Sequence, residues 1–327
     1  MLSAFQSSGD LIADRRYHYA QALFDAGEYN AAADLFEQAI ECAPGWPAAF
    51  WSLGKARREA GDKTRAAAAF RECLRLDPDD RLGASLALAE LDASVTIDAA
   101  PAAYVKTLFN AYADEFDAAL VERLNYETPQ KLAALIREVR KGGARFKKAL
   151  DLGCGTGLAG EAIVADVAWL EGVDLSEGMI DKARSKGVYN ALSVEDMAAT
   201  LHAARGRYDL ILAADVLIYF GDLSKIVAGI ARRLDRGGLV AYSVEKRDGE
   251  GWSIQPSLRF AHSADYVARV MKAAGLELVR MEEAVLRKDR GADIAGYLVI
   301  GRKPFPGRSD YPSTGEGAPI DAPASLH

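Results

Sequence analysis

Residues 150–160, LDLGCGTGLAG, combine a carboxylate with closely spaced glycines, which is typical of a loop that holds a nucleotide-derived cofactor. Two patterns overlap in this stretch. Read from Gly155 it is GxGxxG, the pattern of dinucleotide sites, and read from Asp151 it is DxGxGxG, which indicates another ligand. Both patterns predict one local shape: a strand, a tight turn of residues without a Cβ, and a helix whose N-terminus faces the ligand. Glycine spacing alone therefore does not identify the cofactor.

Asp151 is the residue that separates the two ligands. It ends an apolar strand, and its carboxylate is expected to point into the turn, where a dinucleotide would place its pyrophosphate. At an effective dielectric near 20, two like charges 4 Å apart repel by roughly 4 kcal/mol. S-adenosylmethionine carries an ammonium and a sulfonium and has no phosphate. The acid therefore favours S-adenosylmethionine.

Two more acids follow the next two predicted strands. Asp174, in GVDLSEGM, is placed to bind both hydroxyls of a ribose, and a dinucleotide would use an acid there too. Asp196, in VEDM, is placed to bind an adenine amino group, with Leu175 and Met197 on the two faces of the ring. A dinucleotide site has no comparable requirement at that place, so this second acid agrees with the first.

Side chains after the fourth and fifth strands are the candidates for contact with a second substrate, because ligands lie beyond the carboxyl ends of an open parallel sheet. Asp215 is expected to contact the cofactor's amino group or to orient an acceptor, and Tyr219 either contacts the acceptor or packs. His262 is the candidate general base, because imidazole titrates near neutral pH. Its alternative role is to support a helix that begins at Ser263, a plausible N-cap.

The segment 246–262 joins the fifth strand to that helix and is long for such a connection. It carries Arg247, Trp252, Arg259 and Phe260 besides the histidine. We expect it to line a pocket that recognises an anionic acceptor.

The elements that position these residues alternate along the chain. Apolar strands are predicted at about 148–152, 168–173, 189–194, 208–214 and 238–245, with helical patterns between them. This alternation predicts a parallel sheet covered on both faces. Two further runs, 276–286 and 295–301, have no helix between them and predict an antiparallel hairpin at the edge of the sheet.

The first hundred residues repeat with a shift of 34 positions, and FWSLGKARREAGDKTRAAAAFRECLRLDP resembles a tetratricopeptide repeat. Residues 13–80 are thus predicted to hold two repeats, which a helix at 83–94 caps. Two repeats are too few to bury their apolar faces by themselves, so we expect the array to pack against the rest of the protein. Its concave side is predicted either as a peptide groove or as an interface with the second domain or another subunit. The side chains expected there are Tyr17, Gln21, Trp51, Lys55 and Arg58.

A helix is predicted over 101–124, with an apolar stripe that includes Tyr104, Tyr112 and Phe116. Taken alone, this stripe is typical of a helix that packs on a core.

Residues 149–220 resemble the S-adenosylmethionine-dependent methyltransferases with a seven-stranded Rossmann-like sheet, through DLGCGTG, GVDLSEGM, VEDM and YDLILAADVLIYF. With the repeats, LFNAYADEFDAAL and RFAHSADYVARVMKAAGLELV, the chain resembles a bacterial group of predicted repeat-containing methyltransferases. The resemblance implies an α/β fold with a mostly parallel sheet, a C-terminal antiparallel hairpin and an all-α head. It also implies site roles: Asp151, Gly153, Gly155 and Gly157 cradle the methionine part, Asp174 binds the ribose, Asp196 binds the adenine, and the helix bearing Tyr112 closes over the cofactor. Cys154 contributes only its backbone.

The expected function is methyl transfer from S-adenosylmethionine to an oxygen or nitrogen, on a small molecule or on a protein recruited by the repeats. Two other classes stay open at this point. A non-catalytic adaptor would keep the cofactor as a structural element, and a nicotinamide-dependent oxidoreductase rests on the literal GxGxxG alone.

Composition limits the partners and the location. A net charge of -7 argues against a nucleic-acid or anionic-membrane surface. The three cysteines lack CxxC spacing and the four histidines lack ligand spacing, so no disulfide framework and no metal site are predicted, and a cytoplasmic location is expected. The predicted division of the chain is 1–95 for the repeats, 96–125 for a linker and lid helix, 126–303 for the methyltransferase domain and 304–327 for a disordered tail. The oligomeric state is not predicted.

Overall fold

The computed structural model describes residues 7–113, 116, 126–203, 206–289 and 291–305. Its N-terminal module is a stack of five helices. They are α1 (Leu11–Asp25), α2 (Tyr29–Cys42), α3 (Pro47–Glu59), α4 (Lys63–Leu76) and α5 (Ala84–Leu91). Asp10 caps α1 by accepting hydrogen bonds from the backbone nitrogens of Ile12 and Ala13.

Small residues set the distance between the paired helices, as the repeat pattern predicts. A Cβ added to Gly54 on α3 would lie 2.5 Å from the ring of Phe70 on α4. The glycine therefore makes room for the aromatic ring, and the matching Phe36 of the first repeat is fully buried.

Seven more helices follow the repeats in the described part of the chain. They are α6 (Ala102–Tyr112), α7 (Thr128–Arg140), α8 (Leu158–Ile163), α9 (Glu177–Lys186), α10 (Met197–His202), α11 (Ser224–Arg233) and α12 (Ala264–Ala273). The helix predicted over 101–124 is thus present as α6 up to Tyr112; most of its remainder lies outside the described residues. The predicted tail lies outside them from residue 306 onward.

Nine strands form one mixed sheet within the described residues. They are β1 (Ala149–Leu152), β2 (Leu170–Asp174), β3 (Ala191–Val194), β4 (Tyr208–Ala213), β5 (Leu234–Lys246), β6 (Trp252–Ile254), β7 (Phe260–His262), β8 (Glu277–Asp289) and β9 (Ala292–Arg302). The order β3-β2-β1-β4-β5 is parallel throughout. The five parallel strands predicted from the sequence are therefore confirmed.

The C-terminal hairpin is confirmed as well. Strand β9 runs antiparallel to β5 from Leu239↔Arg302 to Glu245↔Gly296, and β8 pairs with the other side of β9. The fold class, an α/β Rossmann-like sheet behind an all-α repeat module, is thus confirmed.

The prediction missed β6 and β7, which lie within 246–262. Glu245 of β5 pairs with Ala261 of β7 on one side and with Gly296 of β9 on the other. Strand β7 therefore continues the sheet beyond the point where β4 ends. Strands of three residues beside glycine-rich turns carry too few positions to show an alternating pattern, so the sequence did not reveal them.

Helices cover both faces of the sheet, and each face has its own apolar core. One core includes Tyr208, Tyr242 and Val267, and the other includes Ile136, Leu170 and Leu212. No helix within the described ranges is long and apolar enough to cross a membrane.

The repeat module packs on the β6–β7 hairpin. A single apolar cluster joins Phe70 of α4 and Leu86 of α5 to Tyr104 of α6 and to Leu258 and Phe260 at β7. This confirms that the repeat array packs against the rest of the protein. Of the predicted concave side chains, Tyr17 is buried, and its hydroxyl lies 2.8 Å from that of Ser52. Trp51 is half-buried and packs against the joining cluster.

Candidate active site

A cavity of about 320 Å³ opens at the carboxyl ends of the parallel strands. One part of it, here called the acidic end, is lined by Asp174, which ends β2, and by Glu195 and Asp196, which follow β3. The other part, here called the aromatic end, lies beyond β4 and β5. It is lined by Phe109, Phe116, Tyr126, Tyr219 and Phe220, together with Arg259 and Arg287.

The glycine turn after β1 lies between these two ends. Gly153 and Gly155 have left-handed backbone angles, with φ of 64° and 53°. A Cβ on Gly153 would lie 2.4 Å from a methyl carbon of Val216, so only glycine fits there. Above Gly155 the nearest atom belongs to Phe116, at 4.0 Å. The backbone at Gly155 is therefore open to a ligand, as predicted for a cofactor turn.

The other two glycines of the stretch face a protein side chain instead. A Cβ on Gly157 would lie 3.0 Å from the ring of Tyr189, and one on Gly160 would lie 2.5 Å from it. Gly157, a predicted cofactor contact, does not line the cavity. Two of the three glycines in the literal GxGxxG are thus explained by the packing of Tyr189, which removes the main reason to read that pattern as a dinucleotide site.

Asp151 lies behind the turn, where it does not line the cavity. It is fully buried, and its Oδ2 accepts a hydrogen bond of 2.7 Å from the hydroxyl of Tyr189. Its Oδ1 has no hydrogen-bond partner among the described residues. Burial raises the pKa of Asp151 to about 7, although the bond from Tyr189 opposes the rise. The prediction that the Asp151 carboxylate points into the turn towards the ligand is therefore wrong: the carboxylate is buried behind the turn.

Asp174 lines the cavity, as predicted. Its Oδ2 accepts a hydrogen bond of 2.9 Å from the backbone nitrogen of Gly155. Its Oδ1 accepts one of 2.8 Å from the backbone nitrogen of Ser176. Burial raises its pKa against these bonds. The backbone nitrogen of Leu175 opposes the rise as well. A carboxylate has about four acceptor sites, so Asp174 can still accept a hydrogen bond from a ribose hydroxyl.

Asp196 also lines the cavity and caps α10, with Oδ1 3.0 Å from the backbone nitrogen of Ala199. Leu175 and Met197 line the same end; their packing on the two faces of an adenine ring stays a prediction. Cys154 lines the cavity next to Gly155, and its buried side chain makes no strong polar contact in the described structure. Glu195 is a third acid at this end and was not predicted.

The residues present fit S-adenosylmethionine better than a dinucleotide. Three carboxylates line the acidic end beside the open backbone at Gly155. Their negative charge would attract a cation and repel a pyrophosphate. The unpartnered Oδ1 of Asp151 adds a further buried acceptor behind the turn.

Asp215 lies where the prediction places it, at the cavity after β4. Its φ of 50° is left-handed, and the hydroxyl of Ser243 donates to its Oδ1 at 2.7 Å. Its Oδ2 lies 3.3 Å from Arg287, which also forms an ion pair with Glu245. Arg287 was missed because it lies on β8, more than seventy residues away, and only the antiparallel hairpin brings it here.

Tyr219 lines the aromatic end and is almost fully buried. Its ring stands edge-on to that of Phe109 on α6, with ring centres 5.6 Å apart. Tyr112, which was expected to close over the cofactor, does not line the cavity; Phe109 and Phe116 of the same segment do.

His262, the predicted general base, does not line the cavity. It is fully buried beneath the edge, with Nε2 3.1 Å from the carbonyl oxygen of Gly221 and its ring stacked on Tyr266. Burial lowers its pKa to about 4, against the opposing backbone bonds. Ser263 caps α12 by accepting from the backbone nitrogen of Tyr266. This placement agrees with the supporting role and leaves the histidine no route to an acceptor.

Known protein families match two separate parts of the chain. Residues 149–238 match the sequence model described as a methyltransferase domain. Residues 13–45 and 47–80 match the model of a tetratricopeptide repeat.

Named relatives match part of the chain. The ubiquinone biosynthesis O-methyltransferase of Escherichia coli O7:K1 is 29% identical over 136 residues, which cover 40% of this chain and 55% of that protein. The enzyme of the same name from Klebsiella pneumoniae is also 29% identical over 136 residues, which cover 54% of that enzyme. The chain thus spans about half the length of the curated relatives it matches.

Solved structures align with slightly more than half of the chain. An S-adenosylmethionine-dependent methyltransferase from Clostridium acetobutylicum aligns with 61% of this chain and 100% of its own, at a TM-score of 0.45 and 17% identity. The N-methyltransferase NodS from Bradyrhizobium japonicum aligns with 54% of this chain and 87% of its own, at a TM-score of 0.42 and 19% identity. The two family matches alone identify residues 149–238 as a methyltransferase domain that follows two tetratricopeptide repeats, which confirms the combination predicted from the sequence.

Proposed function

We propose that the protein transfers a methyl group from S-adenosylmethionine to an oxygen or nitrogen of a small-molecule acceptor. The observation that carries this proposal is the division of one cavity into an acidic end, which suits a cationic nucleoside, and an aromatic end, which suits an apolar acceptor. The methyltransferase-domain match over 149–238 and the O-methyltransferase relatives agree with it.

In this proposal the acidic end holds the cofactor. Asp174 accepts from the ribose hydroxyls and Asp196 from the adenine amino group. Leu175 and Met197 pack on the two faces of the adenine ring, and the open backbone at Gly155 contacts the methionine part. When bound, the cofactor would supply a sulfonium methyl group. The acceptor's oxygen or nitrogen would attack the methyl carbon in line with the C–S bond, and S-adenosylhomocysteine would leave.

The chain's own contribution is to orient the acceptor and exclude water. Fixing two reactants in line is worth roughly 7 to 11 kcal/mol of barrier in favourable cases. Asp215 is held rigid by Ser243 and Arg287, so it is suited to orient the acceptor's hydroxyl or amine beside the methyl group. Tyr219, Phe109 and Phe220 enclose the acceptor's apolar body.

The repeats contribute through packing in this proposal. Leu86 of the repeat module and Phe260 of β7 belong to one apolar cluster, so the module packs on the hairpin that carries Arg259. An intact repeat module is then needed even for a small acceptor, which separates this proposal from recruitment of a protein substrate.

The test is turnover by the full-length protein. The purified chain is incubated with S-adenosylmethionine and sets of phenols, carboxylic acids and amines, and S-adenosylhomocysteine is measured by mass spectrometry. We expect product with at least one acceptor set, and its loss in Asp174→Ala. Cofactor binding without turnover on any set would instead favour the non-catalytic adaptor.

A further inference from the structure

We propose that Arg259 binds a carboxylate on the acceptor, so that the substrate class is an apolar, ring-sized molecule carrying one carboxylate and the oxygen or nitrogen to be methylated. This inference rests on the proposed function and adds the substrate's chemical class. It is carried by the position of one guanidinium at the aromatic end of the cavity.

The two arginines that line the cavity differ in their partners. Arg287 is held by two carboxylates, Asp215 at 3.3 Å and Glu245 in a closer ion pair, and the three side chains are almost fully buried. Its charge is therefore already compensated. Arg287 serves to fix Asp215 rather than to bind an incoming anion.

Arg259 has a looser set of contacts. Its nearest carboxylate is that of Asp289, at 3.6 Å, and the Asp289 side chain is 40% exposed while that of Arg259 is 28% exposed. Tyr219 lines the same cavity. Burial pulls the pKa of Arg259 down, but Tyr219, Glu245 and Asp289 outweigh it and raise the pKa. The guanidinium is thus charged, faces the cavity and retains donors for a ligand.

The backbone that carries Arg259 is held in an uncommon conformation. Leu258, the residue before it, has a left-handed φ of 61°, which is rare for a residue with a branched side chain. Two hydrogen bonds close the turn: Leu258 donates to the carbonyl of Gln255 at 2.8 Å, and Gln255 donates to that of Arg259 at 2.8 Å. Leu258 is buried in the cluster that joins the repeats to the hairpin. Packing therefore maintains a local strain whose effect is to place Arg259 at the cavity.

Small and apolar side chains form much of the remaining lining of this end. Ala99, Ala100, Val105 and Phe220 line it together with Phe109. Ala100 donates a 2.8 Å hydrogen bond to the carbonyl of Tyr219, so the segment before α6 is fixed in place as part of the lining. Such a surface excludes water and strengthens a charge-assisted hydrogen bond to the guanidinium.

A carboxylate fits this place better than a phosphate. Glu245 and Asp289 lie close enough to Arg259 to raise its pKa, and Asp215 lies at the same cavity. A dianionic group would meet more repulsion from these acids than a single negative charge would. A planar carboxylate also matches the fork of the guanidinium.

The test compares two probes of nearly equal shape that differ in charge, 3,4-dihydroxybenzoate and 3,4-dihydroxybenzamide. Each is titrated calorimetrically into the full-length protein saturated with S-adenosylhomocysteine. The same titrations are made with Arg259→Gln, with Arg259→Lys, and with Arg280→Gln as the matched control. Arg280 lies on the outer strand β8, is half-exposed and does not line the cavity.

We expect the wild type and Arg280→Gln to bind the carboxylate at least about tenfold more tightly than the amide, because a hydrogen bond to a charged group is worth that ratio or more. Arg259→Gln should lose the preference, while Arg259→Lys should keep part of it. Equal binding of the two probes by the wild type, no binding of the carboxylate, or an unchanged preference in Arg259→Gln would overturn the inference. Binding of S-adenosylhomocysteine, measured first in every sample, reports separately on the proposed function and on folding of each variant.

Discussion

The hydroxyl of Tyr189 lies 2.7 Å from Oδ2 of Asp151, directly behind the glycine turn. The same tyrosine ring occupies the space that side chains at Gly157 and Gly160 would need. One residue therefore accounts both for the buried acid and for two of the glycines that suggest a dinucleotide pattern.

This buried pair predicts a pH-dependent stability. The pKa of Asp151 is about 7 in the folded state, above about 3.9 in an unfolded chain. The folded state therefore holds an extra proton between these values, and the contribution to stability is lost as the pH rises from about 4 to about 7. We expect the stability of Asp151→Asn, relative to wild type, to increase from pH 5 to pH 8. Urea unfolding of the apo protein measures this difference, with Asp181→Asn, on an exposed side chain, as control. A difference that does not change with pH would show that Asp151 is ionised throughout.

His262 predicts the opposite sign. Its pKa is lowered to about 4, below the usual 6.5, so the unfolded chain takes up the proton first as the pH falls. Its contribution to stability is present above about pH 6.5 and is lost towards pH 4. We expect His262→Gln to lose this pH dependence and to keep turnover within about threefold of wild type, because the imidazole does not line the cavity. A fall in kcat of about a hundredfold, with cofactor binding intact, would restore the role of general base.

Arg287 predicts a large loss of stability on removal. Arg287→Met would leave Asp215 and Glu245 buried without their cation, which typically costs about 3–5 kcal/mol. Adding Glu245→Gln to Arg287→Met should recover part of this loss, since one uncompensated charge is removed. Chemical denaturation of the two variants checks both statements. A loss below about 1 kcal/mol in Arg287→Met would mean that the three side chains are not a compensated ionic group.

The cluster between the repeats and the hairpin predicts that the two parts unfold together. Leu86 of α5 is fully buried in it, and a buried Leu→Ala change costs about 2–5 kcal/mol. We expect Leu86→Ala to lower the stability of the whole chain in one transition and to weaken acceptor binding, with S-adenosylhomocysteine binding retained. Leu11→Ala, at a leucine 77% exposed on α1, is the matched control and should change stability by less than about 0.5 kcal/mol. Two separate thermal transitions in the wild type would contradict the coupling.

The acidic end of the cavity could be predicted from the sequence because its residues immediately follow strands. Asp174 ends β2, Asp196 lies two residues beyond β3, and the ends of parallel strands share one edge of the sheet. Local spacing was therefore sufficient to place them. The same argument placed Asp215 and Tyr219 after β4.

The aromatic end could not be predicted in the same way, because long-range pairing forms it. Arg287 reaches the cavity only because β8 follows β9, which follows β5, in the sheet. Arg259 was singled out on its segment, but the short β6–β7 hairpin and the left-handed Leu258 that position it leave no periodic signal. Asp151 was placed one layer too far forward, because a strand buried on both faces does not reveal which face a side chain takes.

The central claim is that the acidic end binds a nucleoside without a phosphate, and side-by-side calorimetric titration of the full-length protein with S-adenosylhomocysteine and NADH tests it most directly. The structure predicts one S-adenosylhomocysteine bound per chain, no measurable binding of NADH at the same concentrations, and affinity for S-adenosylhomocysteine reduced at least about tenfold in Asp174→Asn, since that carboxylate would accept from both ribose hydroxyls. Saturable binding of NADH in place of S-adenosylhomocysteine would contradict it.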